Sequence, residues 1–305
     1  MAALIRTLGK AFLSAKWSAQ LGIVIIAINL LACVFAPALA PFSETEIIGR
    51  PWEPGLWATD CSEERVAEAG PCWSQINEGR SNGKAWLGTD QLGRDLYSRL
   101  LFGARNTISI ALITVALSFF IGMTSGFMAA TMRGWVDQIA SRIIDILMAF
   151  PTLIFALVVL SVAGTSTLVL IVVIALLDST RVFRLSRALA LDIAVTEYVE
   201  AARLRGEGVW WVMRREILPN TIPPLIAEFG LRFCFVFLFI SALSFLGLGL
   251  QPPTADWGNM VKENSSAISF GVFNGLIPAF AIAFLTIGVN MVVDWYLTNL
   301  PGTRE

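Results

Sequence analysis

Long uncharged apolar segments constrain the fold of this sequence more than any other feature. A helix that crosses a bilayer needs about 20 mostly apolar residues. Six blocks have this character, near residues 18–40, 107–130, 138–163, 167–180, 223–249 and 274–297. Charged residues make up 15% of the 305 residues, against about a quarter in soluble domains. We therefore expect an all-α membrane protein with six transmembrane helices.

Two of the blocks are irregular. The apolar run of the fourth block, Leu168 to Leu177, is short, so a span there must extend into polar residues at 161–167 or at 178–180. The third block contains Pro151. Since proline removes one backbone hydrogen bond from a helix, it predicts a kink in this block.

Composition excludes several classes of function. The net charge is −1 and there is no histidine. A nearly neutral chain has no strong positive electrostatic potential that would attract nucleic acid. A chain without histidine cannot form a Ser-His-Asp triad or a histidine zinc site. There is also no glycine-rich phosphate loop ending in Lys-Ser or Lys-Thr. We expect no catalytic residue, metal site or cofactor on this chain.

The distribution of charge predicts the orientation. Arg6, Lys10 and Lys16 precede the first block, which we interpret as a retained anchor with its N-terminus in the cytoplasm. The stretch 181–222 has seven basic and five acidic residues, and 41–105 has seven basic and ten acidic. We expect a cytoplasmic segment 1–17, a first helix 18–40, an external loop 41–106, a five-helix core 107–297 that includes a cytoplasmic loop 181–222, and a cytoplasmic end 298–305.

Four cysteines fit this orientation. Cys33 and Cys234 lie in apolar blocks, where packing is the expected role. Cys61 and Cys72 lie in the external loop, in an oxidising compartment. We predict a disulfide between them; the alternative is two free thiols, because sequence spacing does not fix their distance.

The polar stretch 196–220 between the fourth and fifth blocks predicts two short helices. Thr196 is a candidate cap for a first helix that runs to Arg205. Gly206 and Gly208 break that helix, and a second amphipathic piece ends at Pro219. Two helices joined by a glycine turn would form a rigid knob beneath the membrane.

This stretch also carries a resemblance. Glu200-Ala201-Ala202, Gly206 and Leu218-Pro219 match the EAA-x3-G-x9-I-x-L-P signature of bacterial binding-protein-dependent ABC transporter permeases. Glu216 departs from it, since the signature has Ile there. The resemblance implies a coupling helix that docks on an ATP-binding subunit. The alternatives are an ordinary re-entry loop and, for Arg203, Arg205, Arg214 and Arg215, contacts with anionic lipid.

Three further segments narrow the resemblance. They are Leu87–Asp95 (LGTDQLGRD), Leu243–Gly249 (LSFLGLG) followed by Pro252-Pro253 and Trp257-Gly258, and Asp145–Pro151 (DILMAFP). Together they resemble the C-type permease subunit of the dipeptide, oligopeptide and nickel branch. The expected fold is the type I ABC importer permease fold, with a cytoplasmic coupling helix and an extended periplasmic loop.

The resemblance implies partners and a location. The partners would be a homologous B-type permease, two ABC ATPase subunits that bind ATP and Mg, a periplasmic substrate-binding protein and membrane lipid, with no nucleic acid. The location would be the bacterial inner membrane, with both termini cytoplasmic. The implied solute is a di- or oligopeptide; an oligosaccharide, an opine-like conjugate or a nickel complex is the alternative.

Charged residues outside the knob have open roles. In the periplasmic segment, Gly88, Asp90, Gly93, Arg94 and Asp95 form either a salt-bridged turn, which we favour, or part of a docking surface. Glu228 and Arg232 have the i, i+4 spacing of a helical ion pair. Intramembrane charges suggest function by default, so Asp145, Asp178 and Asp294 remain candidates. A rival hypothesis is an intramembrane enzyme with Asp145 and Asp294 as a carboxylate pair, and a second is a non-transporting scaffold.

Overall fold

The structure, a computed structural model, describes residues 17–49, 51–52, 85–270 and 273–299. These residues form helices and connecting turns, without a β-strand in the described ranges. The helices, in chain order, are α1 Trp17–Leu39, α2 Leu96–Met132, α3 Gly134–Ala149, α4 Thr152–Ala163, α5 Thr167–Ala194, α6 Glu197–Leu204, α7 Val209–Val212, α8 Leu218–Phe245, α9 Trp257–Asn264 and α10 Leu276–Thr298. A π-helical turn, Met213–Ile217, joins α7 to α8.

Within the described ranges, four helical segments are long and apolar enough to cross a membrane. They are Trp17–Leu39, Leu96–Met132, Val209–Phe245 and Phe273–Thr298. The pair α3 and α4 becomes a fifth if its two helices form one broken span. The predicted all-helical membrane fold is therefore confirmed at this level.

The third apolar block is broken at its proline. Helix α3 ends at Ala149, Phe150 is extended, and α4 starts after Pro151 with an 87° bend between the two helices. The predicted break is confirmed, and it is large. Pro151 is compatible with the start of α4 because the first residues of a helix have no intrahelical partner for their N–H groups.

The fourth apolar block belongs to a helix that extends on its C-terminal side. Helix α5 starts at Thr167, where the Ser166 hydroxyl accepts a hydrogen bond from Val169 N, and it continues to Ala194. Its apolar part carries Asp178, Arg181 and Arg184. With these three charges, α5 is not one of the four apolar segments named above.

The fifth block ends earlier than the sequence predicts. Helix α8 stops at Phe245 rather than at residue 249, because Gly247 adopts a φ of 91°. Gly247 N donates to Ser244 O, and Leu248 N donates to Leu243 O. This pair of bonds is the Schellman motif, which satisfies the last carbonyl groups of a helix.

The chain divides into two compact units. The first contains Met1–Ile23, Ile110–Phe239 and Ile287–Glu305. In it, a Cβ atom added to Gly122 would lie 2.6 Å from Ser179 O, and one added to Gly126 would lie 2.8 Å from Phe183 O. Helices α2 and α5 therefore pack backbone against backbone, as small residues allow in membrane proteins.

The second unit contains Val24–Ser109 and Ile240–Thr286. Trp257, at the start of α9, is almost fully buried, and its indole Nε1 donates to Leu100 O at 2.8 Å. The neighbouring Gly258 lies against the backbone of Ser241 without room for a side chain. Helix α9 is thus fixed closely between the end of α8 and the beginning of α2.

Candidate functional site

The polar stretch after α5 forms a short helix with one buried face. In α6, Val199 and Ala202 have no exposed surface, while Glu200 and Ala201 are exposed. Glu197 and Glu200 lie in its first turn and Arg203 in its last. This distribution of charge complements the helix dipole, so α6 is a stable platform that presents Glu200 and Ala201 outward.

Gly206 ends α6, as predicted. Its φ is 85°, its N–H donates to Arg203 O, and the next N–H, of Glu207, donates to Ala202 O. This is again a Schellman motif. The left-handed conformation explains the glycine, because a Cβ atom would strain it. Gly208, by contrast, has a φ of −73°.

The predicted cap at Thr196 is wrong in one respect. Thr196 occupies the N-cap position of α6, but its side chain accepts no hydrogen bond from the helix. The hydroxyl donates instead to Ile193 O at 2.7 Å, in the last turn of α5. Thr196 therefore closes the preceding helix with its side chain.

The predicted helix end at Pro219 is also wrong. The helical path continues from Val209 through Pro219 to Phe245. The π-helical turn shifts the hydrogen bonds just before the proline, so that Leu218 N donates to Met213 O. Asn220 Nδ2 then donates to Glu216 O at 2.6 Å. The π-helical turn thus lets the helix continue through a residue that lacks an N–H group. Leu218 is half-buried and Pro219 is exposed.

Large apolar side chains on the outward surface of this segment were not identified from the sequence. Leu204 is 84% exposed and Trp210 is 64% exposed. In the sequence, Leu204 stands between Arg203 and Arg205. A leucine flanked by two arginines in a polar helix is the signal that could have indicated its exposure. We refer to Glu200, Ala201, Leu204, Gly206 and Trp210 as the coupling surface, after the role that the sequence resemblance predicts for this segment; that role stays a prediction.

Contacts within the first unit hold this segment in place. Arg203 Nη2 donates to Thr131 O at 3.4 Å, near the end of α2. A cavity of about 540 Å³ lies between α2 on one side and α7 with the start of the π-helical turn on the other. Its lining is almost entirely apolar and consists of Phe120, Ile121, Thr124, Ser125, Met128, Met132, Val209, Trp210 and Met213.

The motif Leu87–Asp95 forms part of a buried ionic cluster. Asp90 has no exposed surface and accepts hydrogen bonds from Leu92 N, Arg94 N, Arg94 Nε and Arg99 Nη1. Glu263 of α9 accepts from Arg94 at 3.0 Å and from Arg99 at 2.7 Å. The salt-bridged turn that we favoured is present, and Gly88 and Gly93 adopt the positive φ angles it needs. Docking of another protein on this region stays a prediction.

Two buried carboxyl groups near this cluster cap helices. Asp95 accepts from Ser98 N and Ser98 Oγ at the start of α2. Asp256 accepts from Asn259 N at 3.0 Å and from Thr107 Oγ1 at 2.8 Å. Burial raises the pKa of both carboxyl groups, although these hydrogen bonds act in the opposite direction.

Several charged residues in the apolar helices form ion pairs. Arg232 Nε lies 2.7 Å from Glu228 Oε1, which confirms the i, i+4 pair. The second partner of Arg232 is Asp178 of α5, at 3.6 Å, and Ser118 of α2 donates to Asp178 at 2.8 Å. Asp145 pairs with Arg184 at 2.6 Å. Within the described ranges, Cys33 and Cys234 are not part of a disulfide, whereas Cys61 and Cys72 lie outside the described residues.

The chain is an all-helical membrane protein with a short polar helix between two long ones. Residues 118–301 match the family model "Binding-protein-dependent transport system inner membrane component". The chain belongs to this family.

Curated relatives agree with this assignment. The chain is 34% identical to the glutathione transport system permease protein GsiD of Pectobacterium atrosepticum, over 73% of each chain. It is 30% identical to the dipeptide transport system permease protein DppC of Alkalihalophilus pseudofirmus, over 90% of this chain and 83% of the relative. It is 34% identical to the probable D,D-dipeptide transport system permease protein DdpC of Escherichia coli, over 68% and 70%.

Proposed function

We propose that this chain is a transmembrane permease subunit of an ABC importer and forms half of the path for a peptide-like solute. The family assignment carries this proposal, and the names of the relatives at 30–34% identity support the solute class. An oligosaccharide, opine-like conjugate or nickel complex is the alternative, and the names of these relatives do not favour it.

The proposed topology has six spans with both termini in the cytoplasm of a bacterium. The third span is the bent pair α3 and α4, and the fourth is the apolar part of α5. Segment 41–106 lies in the periplasm. The opposite charge balance of segments 41–105 and 181–222 supports this orientation.

The proposed partners are a homologous B-type permease, two ABC ATPase subunits, a periplasmic binding protein and lipid. ATP and Mg bind to the ATPases, and this chain holds no cofactor. The coupling surface offers an exposed carboxylate, Glu200, beside exposed leucine and tryptophan. Exposed apolar groups surrounded by polar ones are typical of protein contacts.

Transport would follow alternating access. Closure of the ATPase dimer on ATP would draw two coupling surfaces together, one from each permease, and open the path outward. Hydrolysis would return the path to the inward-facing state. The rigid anchoring of α6 through Val199 and Ala202 suits it to transmit such a movement.

The rival hypotheses have less support. An intramembrane enzyme that uses Asp145 and Asp294 would need Asp145 for chemistry, yet Asp145 is half-exposed and paired with Arg184. A non-transporting scaffold would retain the coupling surface and hydrolysis at its ATPases without solute uptake.

Reconstitution tests the proposal. The complete complex in proteoliposomes, with the binding protein added, should take up labelled peptides in an ATP-dependent manner. Hydrolysis stimulated by the binding protein without uptake would favour the scaffold. Uptake of labelled oligosaccharide in place of peptides would contradict the proposed solute class alone.

A further inference from the structure

A second polar cluster lies in the first unit, within the apolar parts of α5 and α8. It contains two carboxylates, Asp178 and Glu228, and two guanidinium groups, Arg181 and Arg232. Arg232 contacts both carboxylates, Glu228 at 2.7 Å and Asp178 at 3.6 Å. Both acids therefore engage Arg232 directly, whereas Arg181 interacts with Asp178 through its charge, without an ion-pair contact.

Arg181 is bound differently. Its guanidinium lies 4.3 Å from the centroid of the Phe235 ring, and that of Arg232 lies 5.4 Å from the same centroid. Neither an ion pair nor a hydrogen bond joins the Arg181 side chain to another residue in the described ranges. The guanidinium lies over the face of the Phe235 ring in a cation–π contact. Its N–H groups are therefore available to donate hydrogen bonds to another acceptor.

The position of Arg181 leaves its guanidinium accessible. It lies at the end of the apolar part of α5, about 20 Å along the helix from Thr167, and it is only half-buried. Charged groups at such positions in a membrane protein face protein or water rather than lipid. Contact with Phe235 also directs the side chain toward α8, so that it does not extend along α5 to the membrane surface.

We propose that Arg181, held on the Phe235 ring beside the Asp178–Arg232–Glu228 cluster, binds a carboxylate group of the solute during translocation. Guanidinium groups suit this task because their planar N–H groups match the two carboxylate oxygens. The cluster contributes in two ways. It supplies Arg232 with two carboxylate partners, and it joins α5 to α8, which fixes the distance from Arg181 to Phe235.

The inference rests on the proposed function and can be tested separately from it. The probe is a pair of peptides that differ only at the C-terminus, a free acid and its amide, taken from the peptides that the wild-type complex transports. The ratio of acid uptake to amide uptake is measured for wild type and variants with the same binding protein. Any preference of the binding protein then cancels in the comparison.

In Arg181→Gln the ratio should fall about tenfold or more, as expected for loss of one hydrogen bond between charged groups. The ratio for Arg181→Lys should lie between those for wild type and Arg181→Gln, since lysine keeps the charge but cannot form the bidentate hydrogen bonds of a guanidinium. Arg184→Gln, one turn further along α5 and paired with Asp145, is the matched control and should leave the ratio unchanged.

The possible failures are distinct. Absence of peptide uptake by wild type would contradict the proposed function. An unchanged ratio in Arg181→Gln, with equal loss of acid and amide uptake, would overturn the inference and assign Arg181 to a carboxylate of the partner permease. Assembly of each variant complex, measured by size-exclusion chromatography, separates loss of folding from loss of selectivity.

Discussion

Arg94 Nη2 donates a hydrogen bond to Glu263 Oε2 at 3.0 Å, which joins the turn before α2 to helix α9. Arg99 shares the same carboxylate oxygen. Glu263→Ala should destabilise the protein by about 3 kcal/mol, because it leaves two buried guanidinium groups with fewer partners. Thermal unfolding of the purified complex measures this effect.

The neighbouring Lys262 provides the control. It is exposed on the same helix, and Lys262→Ala should leave the unfolding midpoint nearly unchanged. Equal midpoints for the two variants would show that the ionic cluster contributes little to stability.

Gly206 and Gly208, which follow α6, should differ in their tolerance of substitution by alanine. Gly206 has a φ of 85° and Gly208 a φ of −73°, and both have open space around an added Cβ atom. Gly206→Ala should cost about 1 kcal/mol through backbone strain alone, and it should lower ATPase stimulation by displacing the end of α6. Gly208→Ala should leave stimulation unchanged. A larger loss in Gly208→Ala would contradict the assigned role of the turn.

Close packing of α2 on α5 predicts a strong effect of a small substitution. Gly122→Val places its Cβ atom 2.6 Å from Ser179 O, so the helices must separate at a cost of about 1–3 kcal/mol. The yield of folded protein and its unfolding midpoint should both fall. Thr124→Val, a nearly isosteric change on the same helix, should be tolerated. Normal stability of Gly122→Val would show that the two helices are not in contact at this point.

Asp256 should confer a pH dependence on stability. Burial raises its pKa above the ordinary value of 3.8, so the folded state binds the proton more tightly than the unfolded state does. The resulting stability is complete below pH 3.8 and is lost as the pH rises through the folded pKa. Asn retains an oxygen that can cap α9 but cannot titrate.

Unfolding midpoints measured across a pH series test this expectation. Relative to wild type, Asp256→Asn should become more stable as the pH rises from 4 to 7, because wild type loses stability when the buried carboxyl ionises and the amide does not titrate. Asp256→Ala, which removes the cap, should be less stable than Asp256→Asn at every pH. A constant difference between wild type and Asp256→Asn would contradict the raised pKa.

Local features were predictable from the sequence. The apolar block 18–40 corresponds to α1, Pro151 marks the break between α3 and α4, and Gly206 ends α6. The Glu228–Arg232 pair was also predictable. Each of these depends on residues a few positions apart, for which helix geometry and backbone conformation fix the outcome.

Partners distant in sequence were not predictable. Nothing near Arg94 indicates Glu263, which lies 169 residues away, and nothing near Arg232 indicates Asp178. The path of the helix through Pro219 was missed because a π-helical turn just before the proline accommodates it. Such compensation depends on three-dimensional contacts rather than on propensity.

The most direct test of the central claim is ATP hydrolysis by the reconstituted complex with loaded binding protein, compared for wild type, Glu200→Arg and Asp192→Arg. Glu200 and Asp192 are both exposed carboxylates, but only Glu200 lies on the coupling surface. We predict that Glu200→Arg assembles, yet loses stimulated hydrolysis and peptide uptake, while Asp192→Arg retains both. Full stimulation and uptake in Glu200→Arg would contradict the assignment of α6 as the coupling helix.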